Sequence, residues 1–176
     1  MKILRASLIS LAAVIALVGA AKLGGWYWGT RSAMGFVQHE AEQQHMPIGF
    51  YGVAWLDSTE TLRSKRPLVV PDMDGVLAEP ETFLDRQATV RYFVKTGNVL
   101  AFAIRFVDAA SEKSFETTNQ ILDHDYGPLS APENQTDAFG PKYCSHRISA
   151  RFQIDHCLRA EGQSRFESIV FFRSKT

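Results

Sequence analysis

The chain begins with a long uncharged run. Residues 6–21 carry no charge and follow a short basic start, residues 1–5. This order is typical of a secretory signal peptide, with the small residues 18–21 at the cleavage position. Continued past Lys22 to Trp28, the segment has twenty-three residues, about 34 Å of helix, which is enough for an uncleaved anchor if Lys22 reaches the interface. We therefore interpret residues 1–29 as a signal-anchor or a signal peptide.

The aromatic cluster Trp26–Trp28 favours the anchor, since such residues lie at membrane interfaces. Lys2 and Arg5 favour a cytoplasmic amino end. We predict a single-pass protein of the inner (plasma) membrane that crosses it with residues 6–28, its carboxy-terminal domain being periplasmic or extracellular. Secretion after signal cleavage is the alternative.

The two cysteines agree with export. Cys144 and Cys157 are the only ones in the chain and form no C-x-x-C pair. Behind an export segment, such an isolated pair predicts one structural disulfide. Two buried free thiols are the alternative.

Periodicity predicts the elements that follow. Polar residues 30–47, with apolar positions at helical spacing, predict a juxtamembrane stalk helix that ends before Pro47. The apolar stretch 48–56 predicts a buried strand. A capping box from Asp57 to Glu60 predicts a short helix. A longer helix, capped by Asp108, is predicted after it, because its apolar residues would lie on one face. The residues of that face are Phe115, Thr118, Leu122 and Tyr126.

Two hairpins complete the pattern. Residues 88–94 and 99–107 flank a tight turn at Gly97 and Asn98, and residues 151–159 and 165–173 form the second pair. Segments 67–87 and 128–142, rich in proline and glycine, are predicted to be loops. Residues 48–176 are thus predicted to be an extracytoplasmic α+β domain. Its antiparallel sheet is built from two hairpins with two packed helices, and an N-terminal membrane helix precedes it.

The order helix, loop, hairpin occurs twice, in residues 57–107 and 108–173, which suggests an internal duplication. This order is similar to that of small envelope proteins such as the outer-membrane assembly lipoproteins and the secreted β-lactamase inhibitor proteins. The chain departs from the lipoproteins because no lipobox cysteine follows its apolar run.

Composition excludes several classes. With 176 residues, 45% of them hydrophobic, the chain is neither disordered nor a disulfide-built miniprotein. The first acidic residue is Glu40, and residues 34–176 hold 15 basic and 19 acidic side chains. This acidic excess argues against a nucleic-acid partner.

One motif indicates catalysis. Residues 69–77 (VVPDMDGVL) resemble the first motif of haloacid-dehalogenase-like phosphatases. The resemblance implies Asp72 as the nucleophile and Asp74 as the general acid/base, with Mg²⁺ between Asp72 and the substrate phosphate. That chemistry needs a central parallel strand, whereas two hairpins are predicted after the motif. A solvated acidic turn is the alternative that we favour.

Histidine spacing gives no metal site. His39 and His45 resemble the metalloprotease helix motif, but six residues place them about 240° apart on a helix, so they cannot chelate one ion. His156 falls on the apolar side of its predicted strand. We predict that it is a hydrogen-bonded core histidine.

Charge supplies the last clue to function. Residues 34–141 hold 8 basic and 16 acidic side chains, and residues 142–176 hold 7 and 3. The arginines of the final hairpin either neutralise the acidic helix or form a basic face for an anionic partner. We predict a non-catalytic module without cofactor that binds another envelope protein, as an assembly factor, inhibitor or immunity-type protein. It would use a sheet edge or the basic residues Arg151, Arg159, Arg165 and Arg173; the alternative is a Mg²⁺-dependent phosphatase using Asp72 and Asp74.

Overall fold

The computed structural model describes residues 33–162 and 164–173. The predicted membrane segment, residues 1–29, lies outside them. No helix in the described part has both the length and the apolar character needed to cross a membrane. Backbone contacts divide the chain after Val37, and both sheets belong to the unit that starts at Gln38.

The elements alternate between helices and antiparallel meanders. Their bounds in chain order are α1 (residues 33–43), β1 (Gly49–Phe50), β2 (Val53–Ala54), α2 (Thr59–Lys65), β3 (Val70–Met73), β4 (Val76–Phe83), β5 (Arg86–Lys95), β6 (Asn98–Phe106), α3 (Glu112–Tyr126), β7 (Glu133–Asp137), β8 (Gly140–Ile148), β9 (Phe152–Glu161) and β10 (Ser164–Arg173).

Strands β3 to β10 form one eight-stranded antiparallel sheet in the order β3-β4-β5-β6-β10-β9-β8-β7, beside the two-stranded β1-β2 sheet. Each half of the large sheet is a four-stranded meander, and in the chain each meander follows a helix. The last strands of the two meanders pair at the centre, where Phe102 faces Phe171. The predicted α+β class with an antiparallel sheet is confirmed, and the same element order occurs in both halves.

The predicted number of strands is too low. Among the described residues, the structure has two four-stranded meanders in place of two hairpins, whereas its three helices lie where a stalk helix and two packed helices were predicted. Both predicted loops contain strands despite their prolines, which are tolerated on edge strands and beyond the last pair of a ladder. Pro71 is on the edge strand β3, and Pro80 lies beyond Ala78, the last residue of β4 that pairs with β3. The apolar stretch 48–56 forms the small β1-β2 hairpin and not one strand.

The helix caps also differ from the prediction. Ser58 caps α2 and Ser111 caps α3. Asp57 is buried and accepts hydrogen bonds from the Ala54 amide (2.8 Å) and the Lys65 ammonium (2.7 Å). Asp108 binds Arg86.

Helices α2 and α3, the part of α1 from residue 38 onward and the β1-β2 hairpin pack on one side of the sheet, which we call the covered face. Trp55 is fully buried there against the rings of Phe102 and Phe152. The predicted apolar side of α3 is confirmed, since Phe115, Thr118 and Leu122 are buried. Ala41 and Met46, within the segment predicted as a stalk, are buried as well.

The opposite side, which we call the open face, is covered by no residue of the described ranges. Strand alternation sends every second side chain to it. Its large side chains are half-buried or exposed; Ile148, at one end, is 75% exposed. A sheet face of this size without a covering layer is the main candidate for a binding surface.

Candidate functional site

An apolar row crosses the middle of the open face. Phe93 on β5 pairs with Ala101 on β6, which pairs with Phe172 on β10. The two phenylalanine rings therefore flank the small Ala101 side chain. In the next row, Ala103 lies between Arg91 and Val170. The two alanines form a shallow trough with larger side chains on both sides.

Two arginines lie beside the trough. The Arg105 guanidinium stacks at 4.0 Å from the ring centre of Phe166. Arg91 donates from Nε to the Asp72 carboxylate at 2.6 Å. Both contacts restrict a long arginine side chain before any partner binds. The entropy that these side chains would lose on binding is therefore smaller.

Charged groups of both signs lie toward the β7 edge of the open face. Arg159 donates to the Asp137 carboxylate from both terminal nitrogens, and Lys142 lies 3.4 Å from the same carboxylate. The hydrogen bonds from Arg159 and from the Phe139 amide lower the pKa of Asp137. His146 Nδ1 lies 2.7 Å from the Asp155 carboxylate. An apolar centre with a polar border is the usual anatomy of a protein interface.

The predicted disulfide is confirmed. Cys144 on β8 and Cys157 on β9 face each other in the ladder with Cα atoms 4.2 Å apart, and their sulfurs are bonded. Both cysteines project to the open face and are buried among their neighbours. A disulfide between strands indicates a location outside the cytoplasm.

The four predicted arginines do not form one surface. Arg159 is on the open face, whereas Arg165 and Arg173 project to the covered face eight residues apart on β10, roughly 27 Å along the strand. Each arginine lies beside a carboxylate. Arg165 pairs with Glu112 of α3 at 3.2 Å, and Arg151 and Arg173 share Glu40 of α1.

The aspartates of the phosphatase-like motif lie on the edge hairpin β3-β4. Asp72 is on the edge strand with its carboxylate bound to Arg91, and Asp74 is exposed in the turn. The strand is antiparallel to its neighbour, unlike the central parallel strand of that chemistry. Among the described residues, no group of three histidine, cysteine, aspartate or glutamate side chains could hold a metal ion.

A buried polar cluster on the covered face contains His156, as predicted. Its Nε2 donates to Glu167 at 2.9 Å, and Glu167 accepts a second bond from Arg86 at 2.8 Å. Burial raises the pKa of Glu167, but the bonds from His156, Thr118 and Arg86 outweigh this effect and lower it to about 2. Burial lowers the pKa of His156, although its bond to Glu167 opposes the shift.

A second cluster of this kind lies in the first half of the sheet. Glu79, which is buried, accepts from the Tyr92 hydroxyl at 2.7 Å and from Arg66 at 2.6 Å. Arg66 also pairs with Glu81. Burial and the bond to Glu79 raise the pKa of Tyr92. The buried carboxylates of both clusters accept hydrogen bonds from within the fold, so the clusters stabilise the sheet.

The open face could not be recognised as a surface from sequence patterns alone. One signal was present in β10, where an apolar run from Ile169 to Phe172 interrupts the alternation. Such a run means that both sides of the strand carry apolar groups. Comparison with protein-family models, with curated proteins and with solved structures found no match.

Proposed function

We propose that the chain is a non-catalytic binding module of the cell envelope that docks a folded partner protein on its open face. The envelope location is supported by the Cys144–Cys157 disulfide and by the export segment predicted at residues 1–29. The observation that carries the proposal is the open face of the eight-stranded sheet, where aromatic and arginine side chains surround an alanine trough and no described residue covers them.

The dimensions of the open face suit a protein partner. Eight strands span about 38 Å, and strands of nine residues are about 30 Å long. The product is roughly 1,100 Å², compared with the roughly 800 Å² that each partner buries in a standard interface. A small ligand would leave most of this area in water.

Side-chain chemistry defines the partner further. Phenylalanine and arginine are enriched at the centres of protein interfaces, and Phe93, Phe172 and Arg105 surround the trough. The border carries acidic and basic groups in pairs, such as Arg159 with Asp137. We therefore expect an apolar protrusion of the partner in the trough, with charges of both signs around it.

Site-specific photo-crosslinking in cells tests the surface. A photoreactive phenylalanine analogue replaces Phe93 or Phe172 in the full chain, and a control chain carries it at Gln120, which is exposed on α3. We expect an adduct of one defined mass from both open-face positions and none from Gln120. Equal adducts from all three positions, or none from the open face, would refute the docking surface.

A second variant shows whether the adduct depends on the trough. Ala101→Arg fills the space between Phe93 and Phe172, and Gln120→Arg adds the same charge on α3. We expect the first change alone to abolish the adduct, with the unfolding midpoints of both variants close to that of the wild type. Persistence of the adduct in a folded Ala101→Arg chain would show that the partner binds elsewhere.

A further inference from the structure

A groove lies on the covered face beside the start of α3, and its volume is about 510 Å³. The helix begins over β10, where Glu112 pairs with Arg165 at 3.2 Å. Its next inward residue, Phe115, packs on Tyr143 of β8. Beyond this contact the covered face is open toward β7, and Asn134 of that strand is exposed. The groove is therefore bounded by α3 on one side and by the β7-β8 hairpin on the other.

The floor of the groove is apolar. Strand alternation places Tyr143 and Leu158, which pair across β8 and β9, on the covered face together with Ala160. The Tyr143 ring lies 5.5 Å from the Phe115 ring, and Phe115 stacks at 4.2 Å on His156. The small side chain of Ala160 is exposed and leaves the space above the sheet open. A floor of this kind suits a ring or a short hydrocarbon chain.

Polar side chains of the β7-β8 wall have unused hydrogen-bonding capacity. The Asn134 amide and the Tyr143 hydroxyl make no hydrogen bond with any residue of the described ranges, and the two residues pair directly in the ladder. Both groups are therefore available to a ligand. A few polar groups beside an apolar floor fix the orientation of a bound molecule.

The groove carries an excess of negative charge. Glu112 and Glu116 line it from successive turns of α3, and Arg165 is paired with Glu112. Lys142 also lines the groove, but its ammonium lies 3.4 Å from Asp137 on the open face. Glu116 has no ion-pair partner within the described part of the chain. One carboxylate at the edge of an apolar groove is thus left without a counter-charge.

We propose that this groove binds a small organic cation, an amine carried on an aromatic or aliphatic body. The body covers the apolar floor, and the ammonium pairs with the Glu116 carboxylate. The Tyr143 ring adds the attraction of an aromatic face for a cation. An anionic ligand of the same shape is repelled by the unpaired carboxylate. The groove lies on the covered face and does not depend on partner docking at the open face.

Three probes of one shape and different charge test the ligand class: phenethylamine, phenethyl alcohol and hydrocinnamate. The thermal unfolding midpoint of the full chain in neutral detergent is measured against the concentration of each probe. We expect phenethylamine to raise the midpoint at a lower concentration than phenethyl alcohol does, and hydrocinnamate to leave it unchanged. Equal responses to all three probes, the strongest response to hydrocinnamate, or no response to phenethylamine would overturn the proposal.

A matched pair of variants tests the role of the carboxylate. Glu116→Gln removes the unpaired charge, and Glu60→Gln makes the same change at an exposed glutamate of α2. We expect Glu116→Gln to weaken the apparent affinity for phenethylamine about fivefold and to leave the affinity for phenethyl alcohol unchanged. Glu60→Gln should respond like the wild type. An equal loss in both variants, or no loss in Glu116→Gln, would refute the pairing with Glu116.

Filling the groove separates binding there from effects of the probes elsewhere. Ala160→Phe places a ring on the floor, and the exposed position of Ala160 makes the change compatible with the fold. We expect this variant to keep the probe-free midpoint of the wild type and to lose the response to phenethylamine and phenethyl alcohol. A folded Ala160→Phe chain that responds like the wild type would place the probes outside the groove. Should this variant fail to fold, Asn134→Trp narrows the groove from the exposed edge strand, and the same outcomes decide.

Discussion

His156 and Glu167 form a hydrogen-bonded pair on adjacent strands with no exposed side-chain surface on either residue. The distance from Nε2 to Oε1 is 2.9 Å. The cation that neutralises Glu167 is Arg86 on β5, which is separated from β10 by β6 and stacks at 3.7 Å on the Phe106 ring. One buried carboxylate therefore connects the first meander of the sheet with the second.

Replacing Glu167 by glutamine should destabilise the domain by about 3 kcal/mol, since the change leaves the Arg86 charge without its buried partner. Chemical unfolding of the full chain measures this loss. Glu112→Gln is the matched control, because its pair with Arg165 is exposed; we expect it to cost less than about 1 kcal/mol. Similar costs for the two variants would contradict a special role of the buried carboxylate.

The same cluster predicts acid sensitivity. The pKa of Glu167 is lowered to about 2 in the folded chain from 4.5, so its stabilisation is complete above about 4.5 and is lost as the pH falls toward 2. The folded pKa of His156 also lies below its ordinary value of 6.5. Its contribution is therefore complete above that pH and decreases below it. Both shifts have the same sign, so we expect stability to fall steadily from pH 6.5 downward.

Neutral His156 is compatible with its neighbours. Asn119 Oδ1 lies 2.6 Å from Nδ1, and Asn119 Nδ2 donates to the Ser145 hydroxyl. With the oxygen and nitrogen of the amide exchanged, Nδ2 donates to Nδ1 of a neutral imidazole and the Ser145 hydroxyl donates to Oδ1. We expect His156→Gln to flatten the stability profile between pH 6.5 and 4.5 while the step below 4.5 remains. An unchanged profile in that variant would assign the upper step to another group.

Core positions were predictable where strand alternation was strict. Residues 152–158 alternate, and His156 was correctly placed in the core from that pattern. The cluster around it was not predictable, because Arg86, which pairs with Glu167, is eighty-one residues away from that glutamate in sequence and strand pairing alone brings the two together. The two cysteines were paired correctly since the chain offers no other choice.

Edge strands were not predictable from periodicity. The residues of β3 are all exposed, and those of β7 nearly so; neither strand has a buried side to create an alternating pattern. Proline at positions 71 and 141 then suggested loops. Likewise, net charge identified the arginine-rich end of the chain, but only the fold shows that Arg151 and Arg173 meet at Glu40 while Arg165 lies far along β10.

The placement of Asp72 gives a test of the phosphatase alternative. Its carboxylate is engaged by Arg91 on an edge strand, so Asp72→Asn should remove a partly exposed ion pair and change stability by less than about 1 kcal/mol. We expect the purified chain with Mg²⁺ to show no hydrolysis of p-nitrophenyl phosphate that depends on Asp72. Asp74→Asn is the companion variant. Turnover that both substitutions abolish would restore the enzymatic alternative.

Removing the disulfide should weaken the domain without changing its fold. Cys144 and Cys157 are thirteen residues apart, and a crosslink over such a distance contributes about 3 kcal/mol by restricting the unfolded chain. The double variant Cys144→Ser, Cys157→Ser should lose this amount and become insensitive to reductant, while reduction of the wild type lowers its unfolding midpoint to that of the variant. Because the pair is already aligned in the β8-β9 ladder, the secondary structure should persist in both cases.

An impermeant thiol reagent applied to intact cells, before and after reduction, reports the compartment: labelling only after reduction places the domain outside the cytoplasm, and labelling only after the inner membrane is opened contradicts that location.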